Sequence, residues 1–165
     1  MSRPGRGSVR WRVQRWQELT LEQLYGILAA RVQVFVVEQD CAYQELDGLD
    51  SLALHVTAWT QDHTPRVLAY ARLNPPHSRF PEPSIGRVIT AAQVRGTGMG
   101  RSLMARVLEQ AEARYPGLPV RISAQQYLEG FYREFGFRTV SAPYLEDGLP
   151  HLEMLRPAMV SASPD

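Results

Sequence analysis

A glycine-rich stretch, Arg95–Arg101, constrains the fold of this chain more than any other feature. Its three glycines alternate with other residues, between a predicted strand (Ile85–Thr90) and a predicted helix (Ser102–Arg114). Glycine lets a backbone approach a ligand closely, and the first amides of a helix have no intrahelical acceptor. Such amides carry a partial positive charge that suits phosphate, to which Arg95 and Arg101 add full charges. The stretch therefore predicts a phosphate-binding loop that leads into a helix.

Two familiar phosphate-binding motifs do not fit this stretch. A P-loop requires Gly-Lys-Ser/Thr, whereas Gly100 is followed by Arg101 and the chain contains no lysine. The dinucleotide fingerprint Gly-x-Gly-x-x-Gly fails in both frames, because its last glycine would fall on Arg101 or Leu103. The pattern that fits is Arg95-x-x-Gly98-x-Gly100. By itself, a glycine-rich segment before a helix can also be a tight turn that binds nothing. The rest of the sequence is needed to choose between these two interpretations.

The bulk composition describes a single globular domain. A chain of 165 residues is long enough for one core, and a net charge of +1 argues against a dedicated nucleic-acid-binding protein. The first fifteen residues nevertheless contain five arginines and no acid. We predict a flexible arm over residues 1–8, a domain over residues 9–157 and a polar tail over residues 158–165.

Neither a nucleic acid nor a membrane is expected as a partner. No apolar run reaches transmembrane length, and no signal-peptide core follows the N-terminal arginines. The single cysteine, Cys41, excludes an internal disulfide and suits a reducing cytoplasm, which is the predicted location. No Cys/His spacing resembles a metal site, so no metal is expected. The sequence leaves a homodimer open.

Hydrophobic periodicity predicts an α/β (α+β) domain in the order β-α-β-β-β-α-β-α-β-β, a mixed, mostly antiparallel sheet with helices on both faces. The first helix starts at a Thr20–Gln23 capping box and ends near Val34. Its apolar stripe is Leu21, Leu24, Leu28 and Val32. The second helix has a core-facing stripe of Leu103, Met104, Val107, Leu108 and Ala111. A final hairpin pairs residues 137–145 with residues 151–156 across the turn Asp147-Gly148.

An acidic segment follows the first helix. It contains Glu38, Asp40, Glu45, Asp47 and Asp50. These carboxylates could line a pocket for a cationic substrate or belong to a solvated loop, and the sequence favours neither. Arg87, on the fourth strand, could likewise bind a carboxylate of the substrate or pair with one of these acids.

A second motif lies about thirty residues beyond the glycine-rich loop, with a strand between them. It reads Gly130-Phe131-Tyr132 and, after three further residues, Gly136-Phe137. Together with the loop and the element order, it resembles the GNAT N-acetyltransferase family. More narrowly, residues 34–39 (VFVVEQ), 85–89 (IGRVI) and 146–151 (EDGLPH) resemble the ElaA branch of that family. The resemblance covers residues 9–156 and implies the GNAT acyl-CoA N-acyltransferase fold.

The resemblance also implies a cosubstrate, acetyl-CoA, whose acetyl group passes to a primary amine of a small molecule or peptide by direct attack in a ternary complex. The pyrophosphate would lie beside Arg95, on the amides of Gly96, Thr97, Gly98, Met99, Gly100 and Arg101. The pantetheine arm would follow the backbone of Val88, Ile89 and Thr90, with Phe131 packed against the cofactor. Gln125 occupies the position where the family often has a pantetheine-binding asparagine.

The catalytic residues follow less directly from the resemblance than the cofactor-binding residues do. Tyr132 matches the family's tyrosine that protonates the departing thiolate, whereas without the resemblance it would be a core aromatic. Residues 84–90 contain no carboxylate to act as a base on the fourth strand. The candidates are therefore Glu38, directly after the first helix, and then His151, at the start of the last strand. A covalent acetyl-enzyme on Cys41 is the alternative mechanism.

Two other functions stay open at this point. The first is a non-catalytic acyl-CoA-binding module. The second is an acyltransferase of the same fold that uses a longer acyl chain, like the acyl-homoserine-lactone synthases, which the segment Arg31–Phe35 resembles.

Overall fold

The computed structural model describes residues 8–159, which form one eight-stranded sheet with helices packed on it. The strands are β1 (Val9–Arg15), β2 (Leu54–Thr60), β3 (Val67–Asn74), β4 (Ser84–Thr90), β5 (Val120–Gln125), β6 (Arg138–Thr139), β7 (Tyr144–Glu146) and β8 (Leu149–Arg156). The helices are α1 (Leu21–Val32), α2 (Met99–Arg114) and α3 (Glu129–Arg133). The predicted arm at residues 1–8 and tail at residues 158–165 lie almost wholly outside the described residues and stay predictions.

The sheet order is β1-β2-β3-β4-β5-β8-β6, and β7 also pairs with β8. Every pairing is antiparallel except that of β4 with β5. This confirms the predicted mixed, mostly antiparallel sheet.

The two long helices cover opposite faces of the sheet. Because side chains alternate between faces along a strand, Val56 and Ala58 of β2 pack in the same core as α2, while Trp59 and Tyr70 pack with Ile27 of α1. The predicted stripe of α2 is buried at all five positions, although the helix begins at Met99 rather than at Ser102. The first turn of α2 therefore includes the end of the glycine-rich stretch.

The orientation of α1 differs from the prediction. Its capping box is present, with Thr20 N donating to Gln23 Oε1 at 3.0 Å and Gln23 N to Thr20 Oγ1 at 3.1 Å. The fully buried positions, however, are Ile27 and Arg31, whereas Leu21 is 82% exposed. The predicted stripe is wrong because Arg31 turns inward to bind carboxylates. The chain then continues as a π-helical segment over Gln33–Glu38, past the predicted end.

The last hairpin contains one strand more than the prediction. Residues 137–145 do not form one strand but divide into β6 and β7, and β8 begins at Leu149. Between them Ser141 Oγ accepts a hydrogen bond from the amide of Glu153, and Pro143 has no N–H to donate to a ladder. The predicted Asp147-Gly148 turn is present, with φ of 50° and 77°.

Candidate active site

The sheet opens between β4 and β5. These strands share a single aligned pair, Ser84 with Arg121, and on that side no described strand pairs with the backbone of Val88, Ile89 or Thr90. Arg87 sits at a register shift against β3 with a φ of 54°, in the left-handed region that non-glycine residues rarely adopt. Such a bulge bends a strand and redirects its side chains. The bulge accompanies an open backbone edge in the middle of the sheet.

The glycine-rich stretch forms a concave loop at the end of this opening. Gly96 and Gly98 have φ of 77° and 89°, which glycine adopts without strain, and Gly98 is the N-cap of α2. Within residues 8–159, no backbone carbonyl accepts from the amides of Gly98, Met99, Gly100 or Arg101. Four unpaired amides at the N-terminus of a 16-residue helix make an anion site.

Three side chains of the stretch already have partners. Thr97 is tied into the loop, because both its amide and its hydroxyl donate to the carbonyl of Val94. Arg95 forms an ion pair with Glu38 at 2.6 Å and donates from Nη2 to the carbonyl of Thr90 at 2.9 Å. Arg101 pairs with Glu134 at the surface. A bound anion would therefore compete with carboxylates for both arginines.

One cleft of about 1050 Å³ joins these features. Of the residues proposed from the sequence, Thr97 alone is absent from its walls; the others are Glu38, Val88, Ile89, Thr90, Arg95, Gly96, Gly98, Met99, Gly100, Arg101, Gln125, Phe131, Tyr132 and His151. Gln125 at the end of β5 donates from Nε2 to Gln39 Oε1 at 3.2 Å. The fold thus brings together residues that are more than a hundred positions apart in the chain.

Tyr132 lies on the floor of the cleft. It is only 5% exposed, and its ring packs edge-on against Phe131 at 5.2 Å and Phe137 at 6.0 Å between centroids. Burial raises the pKa of Tyr132 well above its usual value, and nearby Tyr127 adds to the rise. Tyr132 therefore keeps its proton throughout the neutral range.

His151 lies on β8, where it is aligned with Gln125 at the end of β5. It is 8% exposed, and its Nδ1 is 2.8 Å from the carbonyl of Leu149. Its Nε2 is 3.4 Å from Oε2 of Glu146, a residue that the sequence interpretation left without a role. A glycine-rich loop with unpaired amides, a buried tyrosine and a histidine thus share one cleft.

Comparison of the sequence and fold with known proteins shows which family has this arrangement. A sequence model described as an acetyltransferase (GNAT) domain matches residues 18–156. The chain belongs to the GNAT acetyltransferase family. Its relatives include the Escherichia coli protein ElaA, 39% identical over 150 residues, with 90% of this chain and 96% of ElaA covered. The crystal structure of that ElaA has a TM-score of 0.84 and places the chain in the ElaA-like branch.

Two further relatives agree with this assignment. A UPF0039 protein of Synechocystis sp. is 44% identical over 147 residues, with 89% of this chain and 94% of that protein covered. An acyl-CoA N-acyltransferase from Pseudomonas aeruginosa is 42% identical with a TM-score of 0.84, and the match covers 90% of this chain and 99% of that one. The GNAT acyl-CoA N-acyltransferase fold implied by the sequence is confirmed.

The acidic segment of this GNAT domain belongs mainly to a buried ion-pair network. Arg31 Nε donates to Glu45 Oε1 at 2.7 Å and its Nη1 to Asp50 Oδ1 at 2.6 Å, while Arg72 contacts Asp47 and Asp50 at 2.6 and 3.0 Å. The side chains of both arginines are 0% exposed. The network holds the segment after α1 in place as a wall of the cleft, and the sequence interpretation missed it.

Arg87 takes the second of its two predicted roles. Its Nε donates to Glu45 Oε1 and its Nη2 to the Glu45 carbonyl, both at 2.8 Å, so it pairs with an acid of the segment. It also lies over the rings of Phe35 and Tyr43, at 6.0 and 5.7 Å from their centroids. Burial raises the pKa of Tyr43, which also lines the cleft, to about 12.

Two kinds of feature are absent from residues 8–159. No helix there is long and apolar enough to cross a membrane. No cluster of three His, Cys, Asp or Glu side chains in that part of the chain could hold a metal ion.

Proposed function

We propose that this protein transfers the acetyl group of acetyl-CoA to a primary amine by direct attack in a ternary complex. Membership of the GNAT family supports acyl transfer from an acyl-CoA. The observation that carries the proposal is the shared cleft: four free amides, the open edge of β4 and the buried Tyr132 all face one space. The acetyl group and the amine acceptor are the parts that experiment has to decide.

Coenzyme A would bind along the opening of the sheet. Its pyrophosphate would accept hydrogen bonds from the amides of Gly98–Arg101, where the helix dipole also favours negative charge. The pantetheine amides would pair with the unpaired backbone of Val88–Thr90, and Phe131 would pack against the arm. This places the thioester near Tyr132.

The reaction then depends on two proton transfers. A lysine-like amine with pKa about 10.4 is almost entirely protonated at neutral pH, so forming the nucleophile costs about 4.6 kcal/mol. Tyr132 would donate a proton to the departing thiolate. His151, whose Nε2 lies beside the Glu146 carboxylate, would accept one from the acceptor ammonium. Glu38, which pairs with Arg95 at the glycine-rich loop, is the second candidate for this role.

The acceptor and the acyl group can be tested together. The purified protein is incubated with acetyl-CoA and a panel of peptide, polyamine, amino-sugar and aminoglycoside amines, and free thiol is measured. Thiol release that depends on one amine supports the proposal, and repeating the assay with longer acyl-CoA chains tests the acetyl preference. Normal coenzyme A binding without thiol release for any amine would favour a binding module instead. A cytoplasmic location stays a prediction.

Replacing Gly100 with valine is expected to lower coenzyme A affinity by roughly a hundredfold or more, since it fills the loop and removes several charge-assisted hydrogen bonds. A Cβ at Gly100 would lie 3.6 Å from Phe131 Cζ and 3.9 Å from Thr90 Cγ2, which the fold can accept, while the valine methyl groups would occupy the cleft. Isothermal titration calorimetry with coenzyme A measures the loss. Gly130→Val is the matched control, because nothing lies within 4 Å of its Cβ position. Unchanged affinity in Gly100→Val would refute the site.

A further inference from the structure

The hairpin of β7 and β8 places three polar side chains, Tyr144, Glu146 and His151, on one face. Tyr144 is aligned with His151 and Glu146 with Leu149, so Glu146 and His151 are diagonal neighbours. Ser123 of the adjacent β5 reaches the same group, because its Oγ donates to Glu146 Oε2 at 3.2 Å and contacts the Tyr144 hydroxyl. Ser123, Glu146 and His151 all line the cleft.

The tautomer of His151 follows from its partners. A backbone carbonyl can only accept, so the 2.8 Å contact with the Leu149 carbonyl requires the hydrogen on Nδ1. In the neutral ring Nε2 then carries the lone pair, and this nitrogen is the one 3.4 Å from Glu146. The hairpin therefore presents Nε2 as a proton acceptor, with a carboxylate beside the cation that would form.

Glu146 is itself held in place from outside the hairpin. Arg79 pairs with Oε1, and Ser123 donates to Oε2. The ring of Tyr144 stacks on that of His151, with 6.2 Å between centroids and 26° between planes. The glutamate has a fixed orientation although its side chain is 33% exposed, which also lets it exchange protons with water.

Resting on the proposed acetyltransferase function, we infer that Glu146 is the positioning residue for His151, and that the two form the proton-accepting dyad of the reaction. An N–H bond of the acceptor ammonium breaks, and an N–H bond forms at His151 Nε2, next to the Glu146 carboxylate. The amine lone pair then forms the C–N bond as the C–S bond breaks. Tyr132 protonates the sulfur and regains a proton from the new amide nitrogen. His151 finally returns its proton to water.

Other titratable groups lie on the elements around the hairpin. Tyr144 stacks on the ring, Arg79, Asp147 and Cys41 line the same cleft, and Glu153, two residues along β8, pairs with Arg121. Arg79 and Tyr144 are already bonded to Glu146 and Ser123. Of the carboxylates, only Glu146 is within 4 Å of a ring nitrogen of His151 in the described residues. It is therefore the group whose removal should change the ring most.

The first test is a titration of the ring in the free protein. Nitrogen NMR of labelled histidine is expected to show the Nδ1–H tautomer for neutral His151. In Glu146→Gln the ring should lose its proton at a lower pH than in the wild type, because a carboxylate beside Nε2 favours the cation and is absent from the variant. Glu146→Asp should recover part of that shift, whereas a purely structural role would leave the Gln and Asp variants alike. Coincident titrations of wild type and Glu146→Gln, or an Nε2–H tautomer, would overturn the dyad.

The second test is kinetic. Glu146→Gln should lower kcat roughly tenfold or more and move the acidic limb of the pH–rate profile to lower pH, with the Kd for coenzyme A unchanged. The control is Glu112→Gln, whose carboxylate pairs with Arg156 of β8 outside the cleft. If the wild-type protein acetylates no amine, the proposed function is wrong, and the titration remains a separate test of the Glu146–His151 dyad. If the wild type acetylates an amine and Glu146→Gln has the same kcat, only the dyad is wrong.

Discussion

Replacing Tyr132 with phenylalanine is expected to lower kcat roughly a hundredfold and to leave coenzyme A affinity unchanged, as expected when a general acid is removed. Phenylalanine keeps the ring that packs against Phe131 and Phe137, so the cleft floor should survive. The thiolate, with pKa about 8.5, would then leave without a proton donor. The effect should therefore appear in turnover and not in binding.

The pH dependence of wild-type turnover is a second test of Tyr132 as the general acid. Burial raises the pKa of Tyr132, so its protonated, active form persists to higher pH than that of an exposed tyrosine. Turnover should therefore not decline with rising pH until the pH exceeds about 10, the ordinary pKa of tyrosine.

The control for Tyr132→Phe is Tyr115→Phe, which changes a half-buried tyrosine outside the cleft. A kcat within twofold of wild type for Tyr132→Phe would remove the residue as the acid.

The glycine-rich loop and the helix that follows it are the parts that the sequence predicts best. The glycines of the loop and the apolar stripe of α2 are visible as short local patterns, and so is the Asp147-Gly148 turn elsewhere in the cleft. Each depends on the conformation of a few neighbouring residues, and such preferences act on any chain that contains them. The order of elements then suffices to place the loop beside the second motif.

The acidic wall of the cleft could not be predicted in the same way, because it depends on pairs of charges far apart in the chain. Arg31 lies next to the positions of an apparent apolar stripe, yet it is buried against acids 14 and 19 residues later. His55 is also fully buried, with its Nε2 2.9 Å from the carbonyl of Asp50. Local sequence patterns cannot show which carboxylate forms an ion pair with which arginine.

Glu146 illustrates the same limit at the site itself. Its segment was recognised as part of a family resemblance, but its orientation depends on Arg79, 67 residues earlier, and on Ser123 of another strand. A carboxylate at the end of a hairpin is usually a solvated turn residue. Only the assembled sheet shows that this one faces a histidine.

Asp50→Asn is expected to destabilise the protein by about 3–5 kcal/mol, the cost of breaking a buried ion pair by removing one partner. Asp50 accepts hydrogen bonds from Arg31 at 2.6 Å and from Arg72 at 3.0 Å, and its own carbonyl contacts His55 Nε2 at 2.9 Å. An asparagine would turn an NH₂ group towards one guanidinium and remove the negative charge shared by both. Urea unfolding at neutral pH measures the change.

The acid side of the stability profile follows from the same carboxylates. Burial raises the pKa of Asp50, but the hydrogen bonds and charges of Arg31 and Arg72 outweigh it, so the pKa lies below its usual value. Arg72 has the same effect on Asp47. A depressed folded-state pKa contributes stability that is present above the unfolded value, about 3.9, and is lost as the pH falls through the folded value.

Wild-type stability should therefore fall as the pH drops below about 4, and Asp50→Asn should show a shallower fall because one of the linked groups is absent. Asp62→Asn is the matched control, since its carboxylate lies 3.6 Å from Arg66 with both side chains largely exposed. That variant should stay within about 0.5 kcal/mol of wild type. If Asp50→Asn cost no more stability than Asp62→Asn, the buried ion-pair network would not stabilise the fold.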